Sequence, residues 1–177
     1  MGALKGVIDY LNTIKVFKVY KMTEVEAEQI RANTKDGKVI YMIIGYNVES
    51  LSGALLSLIA GGPTHSMFYK QSDDMIYHST FSHGVVKEKL SNVVPKYSKM
   101  VVRKMHFTEL KEDPEKHLGI PYDMLLDYDE HDEENCVEFI NCIFGTDCTF
   151  PKDFRKISDK VVAVGSNVVK LDIRKEN

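Results

Sequence analysis

The stretch "HSMFYKQSDDMIYHST", His65 to Thr80, decides the fold. Two runs rich in aromatic and apolar residues, "HSMFYK" and "DMIYHST", flank a short set of turn residues, the pattern of paired strands. So brief a connection leaves no room for a crossover helix, which makes the pair antiparallel. The same pattern extends outward on both sides. "KVIYMIIGYN" (38–47) comes first, then a loop or short helix through Gly61-Gly62-Pro63; "GVVKEKL" (84–90) and "MVVRKMHF" (100–107) follow. The middle of the chain reads as a meander of short strands.

Helical signals lie before and after it. Leu4, Val7, Ile8, Leu11 and Ile14 recur at helical spacing. Thr23 and Glu26 form a T-x-x-E capping box that opens a second, mostly solvated helix closing at a glycine turn. "TELKEDPEKHLG" (108–119) carries helical signals, with Pro114 confining any helix to one side of itself. "PYDMLLDYDEHDEE" (121–134) reads as an acidic loop. In "NCVEFINCIF" (135–144), Cys136, Phe139, Ile140 and Ile143 share one helical face. "KVVAVGSNVVKLDI" (160–173) reads as a hairpin turning at Gly165-Ser166-Asn167. The expected architecture is one α+β domain. It has a helical extension over 1–37, an antiparallel sheet packed on a helix over 38–145, and a C-terminal hairpin within 146–177.

Bulk properties exclude several classes. The 177 residues are 44% hydrophobic and 28% charged, which suits a chain with a sizeable core. A net charge of −3 and a pI near 6.1 leave no basic stripe for nucleic acid, the run "RKMH" (103–106) excepted. Three cysteines spaced C-x5-C-x5-C make no disulfide framework. The N-terminus shows neither a signal-peptide core nor a myristoylation pattern after Gly2. "ALLSLIAGG" (54–62) is far short of the ~20 residues a membrane span needs; it reads as a core segment or, for a lipid-acting protein, as a membrane-touching or acyl-binding loop. It also lacks the lysine and glycine patterns of phosphate loops. No closely spaced Cys or His pairs suggest a metal, and no cofactor motif is present. A reducing cytoplasm is the expected location.

The chemistry centres on Cys136. Asn135 is a good N-cap and Glu138 stands three residues on, so Cys136 takes the first helical position. Unpaired N–H groups and the helix dipole there stabilise a thiolate. Asp132, Glu133 and Glu134 oppose it by like-charge repulsion, and a nearby imidazolium would settle the contest. A buried helix-face cysteine is the plain alternative. Cys142 and Cys148 lack a helix-start setting and read as structural. For a base, His65 opens one strand of the hairpin and His78 lies near the end of the next. They are placed to face each other, one orienting the other's ring. His83 reads as a turn cap; His106, His117 and His131 read as solvated.

A histidine opening a strand, then "STFSHGV", "LGIPYD" and a helix opening with cysteine resembles the order of the permuted papain-like (NlpC-type) superfamily. It looks like the YiiX/YaeF-like cysteine amidases and peptidases and their poxvirus relatives. "NCVEFI" is also similar to the Asn-Cys-Glu-His-Phe motif of the lecithin retinol acyltransferase-like group, although Val137-Glu138 replaces its Glu-His pair. The resemblance spans roughly 38–145. It implies that Cys136 is the nucleophile, His65 the general base and His78 the third polar residue. The acyltransferase-like group has a histidine at that third position, where the YiiX-like members often have glutamate. The implied activity is a cysteine hydrolase that cleaves a small peptide, amide or ester through a thioester. A lipid-acting acyltransferase or phospholipase with peripheral membrane contact is the second expectation, and a binding or scaffold protein the third. Tyr122, in "PYD", is expected to line the substrate pocket.

Overall fold

The computed structural model describes residues 2–123, 133–166 and 169–175. In chain order the elements are α1 (Gly2–Thr13), β1 (Ile14–Val19), α2 (Glu24–Asn33), β2 (Tyr41–Tyr46), α3 (Leu51–Ala60) and β3 (His65–Lys70). Then come β4 (Met75–Thr80), β5 (Gly84–Lys89), α4 (Leu90–Val93), β6 (Lys99–Met105), α5 (Cys136–Phe144), β7 (Ser158–Gly165) and β8 (Val169–Lys175). The arrangement is mixed α+β. Six antiparallel strands form one sheet in the order β5-β4-β3-β2-β6-β7, and β1 pairs with β8 in a separate ribbon.

Strand β2 shows why the central run is continuously apolar. It lies inside the sheet and is covered on both faces, so five of its six residues are buried. Strand alternation sends Tyr41, Ile43, Met67 and Ile76 to one face, where Ala27 and Ile30 of α2 and Leu90 of α4 cover them. Met42, Ile44, Phe68 and Tyr77 go to the other face, beneath α5. Phe139, Ile140 and Ile143 of α5 are fully buried there, each contributing about 1.5–3 kcal/mol of transfer free energy. The start of α5 is fixed by its cap. Asn135 Oδ1 accepts the N–H groups of Val137 (2.9 Å) and Glu138 (3.1 Å), while Glu138 Oε2 accepts the Asn135 N–H at 2.8 Å.

The structure departs from four expectations. The N-terminal extension is not wholly helical, because Ile14–Val19 leaves α1 as a strand once β8 offers a partner. The C-terminal hairpin is not formed: β7 pairs with β6 and β8 with β1, so the two strands enter different sheets. Asn167, in the expected turn, lies outside the described residues. In 108–119 only Pro114–His117 is helical, a single 3₁₀ turn, since a proline at its first position starts the turn and excludes helix before it. Finally, "ALLSLIAGG" is a capped helix that is largely not core. Leu58 and Ile59 are 80% and 69% exposed. Most of the acidic stretch 121–134, with His131 and Asp132, also lies outside the described residues.

Candidate active site

His65 opens β3 directly opposite Gly45 of β2. Its Nε2 is 2.9 Å from His78 Nδ1, so the two histidines do meet across the β3–β4 pair. The chain continues: His78 Nε2 is 2.9 Å from Glu88 Oε2 on β5, and Lys96 Nζ is 2.7 Å from the other carboxylate oxygen. The His78 hydrogen bond, with Lys96, holds the Glu88 carboxyl down at about 2, so it is an anion. With one proton on each ring, that anion sets the tautomers. His78 Nε2–H donates to Glu88, His65 Nε2–H donates to His78 Nδ1, and His65 Nδ1 is left as an acceptor.

Tyr97 supports the His65 ring from the side, nearly parallel at 16° with centroids 6.0 Å apart. Gly45 makes that approach possible, because a Cβ there would sit 2.6 Å from the Tyr97 ring. Burial first, and then the Lys96 charge together with any proton taken up by His78, push His65 well below the usual 6.5. Its imidazole is therefore neutral at pH 7.

Cys136 sits at the first position of α5, 7% exposed. Its carbonyl accepts the Ser66 hydroxyl at 2.6 Å, which seats the helix start on β3. Ser79 Oγ donates likewise to the Glu134 carbonyl, from β4. Burial pushes the Cys136 thiol up, against the lowering effect of the Ser66 N–H and hydroxyl and the cysteine's own N–H. At rest the thiol is thus protonated and the imidazole neutral, not an ion pair. Among the described residues, Glu138 is a charge that adds to burial against the thiolate, while Glu134 is bound to His117.

The structure brings the three expected residues to one end of β3 but joins only two directly. Alternation along β3 turns His65 away from α5 and Ser66 towards it, so the thiol lies against the residue after the imidazole. Tyr122 does line the pocket, packed edge-on against Phe81 at 5.8 Å. The pocket is about 540 Å³ and has two ends: His65, Tyr97 and Tyr122 at one, Ile8, Leu11, Leu55, Leu56 and Ile59 from α1 and α3 at the other. Burial raises the Tyr97 and Tyr122 phenols, and a Cys136 thiolate would raise both further.

Ser66, Glu88 and Tyr97 escaped the sequence reading. Glu88 had a usable signal, because the β4–β5 register sets His78 opposite Val86, which puts Glu88 on the His78 face. Tyr97 had none, as its role depends on Gly45 of β2, with β3, β4 and β5 between them in the chain. His117, expected to be solvated, is 7% exposed and bound through Nδ1 to Glu134 at 2.7 Å beneath the α5 start. His83 is exposed, with its ring on Ser82. Cys142 and Cys148 are each pushed up to about 11, mainly by burial.

A neutral buried base has a pH signature. Unfolding restores His65 to about 6.5, so below that pH the unfolded chain holds the extra proton and stability falls as pH drops; above it the contribution is complete. Urea unfolding at pH 5.0 and 7.5 should show a smaller loss for His65→Gln than for wild type. Equal losses would mean that His65 is not the group responsible.

Comparison of the chain with protein-family models, with curated proteins and with solved structures returned no match.

Proposed function

We propose that the protein is a cysteine-dependent hydrolase that cleaves an amide or ester through a thioester, on a permuted papain-like arrangement of sheet and helix. One observation carries this reading: a cysteine at a capped helix start is seated on the same strand end as the first ring of a His65–His78–Glu88 hydrogen-bonded chain.

In the reaction, His65 Nδ1 takes the Cys136 proton as Sγ bonds to the substrate carbonyl carbon. The resulting oxyanion falls to the Cys136 N–H, since Asn135 occupies the next two amides. Collapse expels the leaving group, which takes the proton from His65 and leaves the acyl thioester. Water, deprotonated by His65, then releases the acid and restores the thiol. His78 and Glu88 hold the His65 tautomer, so that Nδ1 stays the acceptor throughout. The thiol and imidazole must close on each other for the first step, as catalytic hydrogen bonds often do only on binding substrate.

A second reading, acyl transfer or hydrolysis on lipids, is favoured by the apolar end of the pocket, which suits an aliphatic chain better than a polar peptide. Stopped-flow release of p-nitrophenol from acetate and decanoate esters, with mass spectrometry of the trapped enzyme, tests both. The expected result is a burst of one equivalent per chain with the acyl group on Cys136, faster for decanoate. No burst from either ester or from a peptide anilide, or acyl groups only on Cys142 and Cys148, would overturn the catalytic reading in favour of a binding protein.

A further inference from the structure

Helix α3 supplies part of the apolar end of the pocket, and its outer surface is unusual among the described residues. Its ten residues, LSGALLSLIA, contain no charge. Six of the nine exposed large apolar side chains among the described residues lie on α3 and its neighbour α1: Val7, Tyr10, Leu55, Leu56, Leu58 and Ile59. Scattered exposed leucines need no explanation, but four exposed large apolar side chains on one charge-free helix of ten residues do. The charge-free face extends into the pocket, because Leu55, Leu56 and Ile59 also form its apolar end.

A basic rim adjoins the C-terminal end of the same helix. The Lys152 ammonium lies so close to Gly61 that a Cβ there would meet it at 3.0 Å. Tyr46, whose ring is beside Gly62, receives Arg155 on its hydroxyl at 2.7 Å and carries Lys99 over its face at 5.2 Å. A helix C-terminus explains one nearby cation, not three. Asp153, the acid next to Lys152, is held by Lys156 and by the Phe150 N–H. On a chain of net charge −3, this is a local reversal of sign.

Among the described residues no helix is long and apolar enough to cross a membrane. A short apolar face edged by cations fits a surface that is apolar beneath and anionic on top. We propose that α3, with the adjoining part of α1, docks on an anionic phospholipid bilayer. Leu58 and Ile59 enter the acyl layer, while Lys152, Arg155 and Lys99 meet the phosphate and carboxylate headgroups. The docked face opens the apolar end of the pocket towards the bilayer. Only that consequence, the supply of an acyl chain from the membrane to His65 and Cys136, rests on the function proposed above.

Vesicle flotation at low and physiological salt tests the docking, using phosphatidylcholine alone and with phosphatidylserine at about one third. Wild type should float with the anionic vesicles, with binding weakened by salt. Leu58→Asp/Ile59→Asp should lose binding tenfold or more, and Lys152→Glu/Arg155→Glu should lose the preference for anionic lipid. Both pairs should melt like wild type. Cys136→Ala should float like wild type, so failure of the catalytic reading leaves this result intact. Three outcomes would overturn the proposal: no flotation with either vesicle, equal flotation with both, or a self-associated wild type that Leu58→Asp/Ile59→Asp makes monomeric without any vesicle binding.

Discussion

Cys136→Ala is expected to lower steady-state acyl turnover by about 10⁴-fold or more, the scale seen when a covalent nucleophile is removed. The substitution deletes one sulfur from a site that is already packed. Phe139 and Ile140 keep α5 on the sheet, and Asn135 keeps its start, so thermal unfolding should change little. Cys142→Ala and Cys148→Ala should leave turnover within about twofold, because Cys142 lies in the last turn of α5 and Cys148 beyond its end, so neither has a helix-start setting. His65→Ala should approach the Cys136→Ala value. Glu88→Gln is a milder change, since it keeps the shape and loses the anion that sets the tautomers. Its turnover should fall by about 10–10²-fold, with a shift in the acid limb of the pH–rate profile that a merely structural residue would not produce. Turnover within tenfold of wild type in Cys136→Ala would place the nucleophile elsewhere and end this mechanism.

The second large effect is on stability. Gly84→Ala is expected to cost about 2–5 kcal/mol, from a left-handed backbone and a collision together. Gly84 has φ +67°, and a Cβ there would lie 2.1 Å from the Ile120 carbonyl oxygen and 3.0 Å from Pro121 Cα. Backbone, unlike a side-chain tip, has little room to yield. This contact matters because Val85 N–H donates to Ile120 O at 2.9 Å and Gly119 N–H to Val85 O at 2.9 Å. The two bonds hold "LGIPYD" along the open edge of β5 and so carry Tyr122 to the pocket. A melting point roughly 10 °C lower is the expected reading, with weaker binding of a decanoyl ligand in the protein that remains folded. An unchanged melting point would show that the segment can shift at little cost.

The hairpin of β3 and β4 was legible because its information is local: alternation, turn residues and strand length all lie within His65–Thr80. The start of α5 was legible for the same reason, with Asn135 and Glu138 three residues apart. Where pairing is remote, reading fails. Ile14 fits the helical spacing of Leu4 and Leu11, and nothing nearby says that its partner is Lys175. Gly165-Ser166-Asn167 suggests a turn, yet β7 and β8 each find a better neighbour far back in sequence. Composition misleads about α3 as well, since apolar residues predict burial and only tertiary structure shows that none of its neighbours covers Leu58. The site divides along the same line. Cys136, His65 and His78 are visible from residue type and spacing, while Tyr97 and Ser66 depend on how strands and helix are stacked.

The β1–β8 ribbon bears on when the pocket comes into being during synthesis. Residues 14–19 leave the ribosome early, but their partners, 169–175, emerge only after the whole six-stranded sheet has been made. Until then Ile14, Phe17 and Val19 have no strand to pair with, and α1, which adjoins β1 in the chain, lacks its anchor. Closing so long a loop is slow relative to local hairpins. The local strand pairings that carry His65 and His78 therefore form ahead of the ribbon, and Ile8 and Leu11 come to wall the apolar end of the pocket only after them.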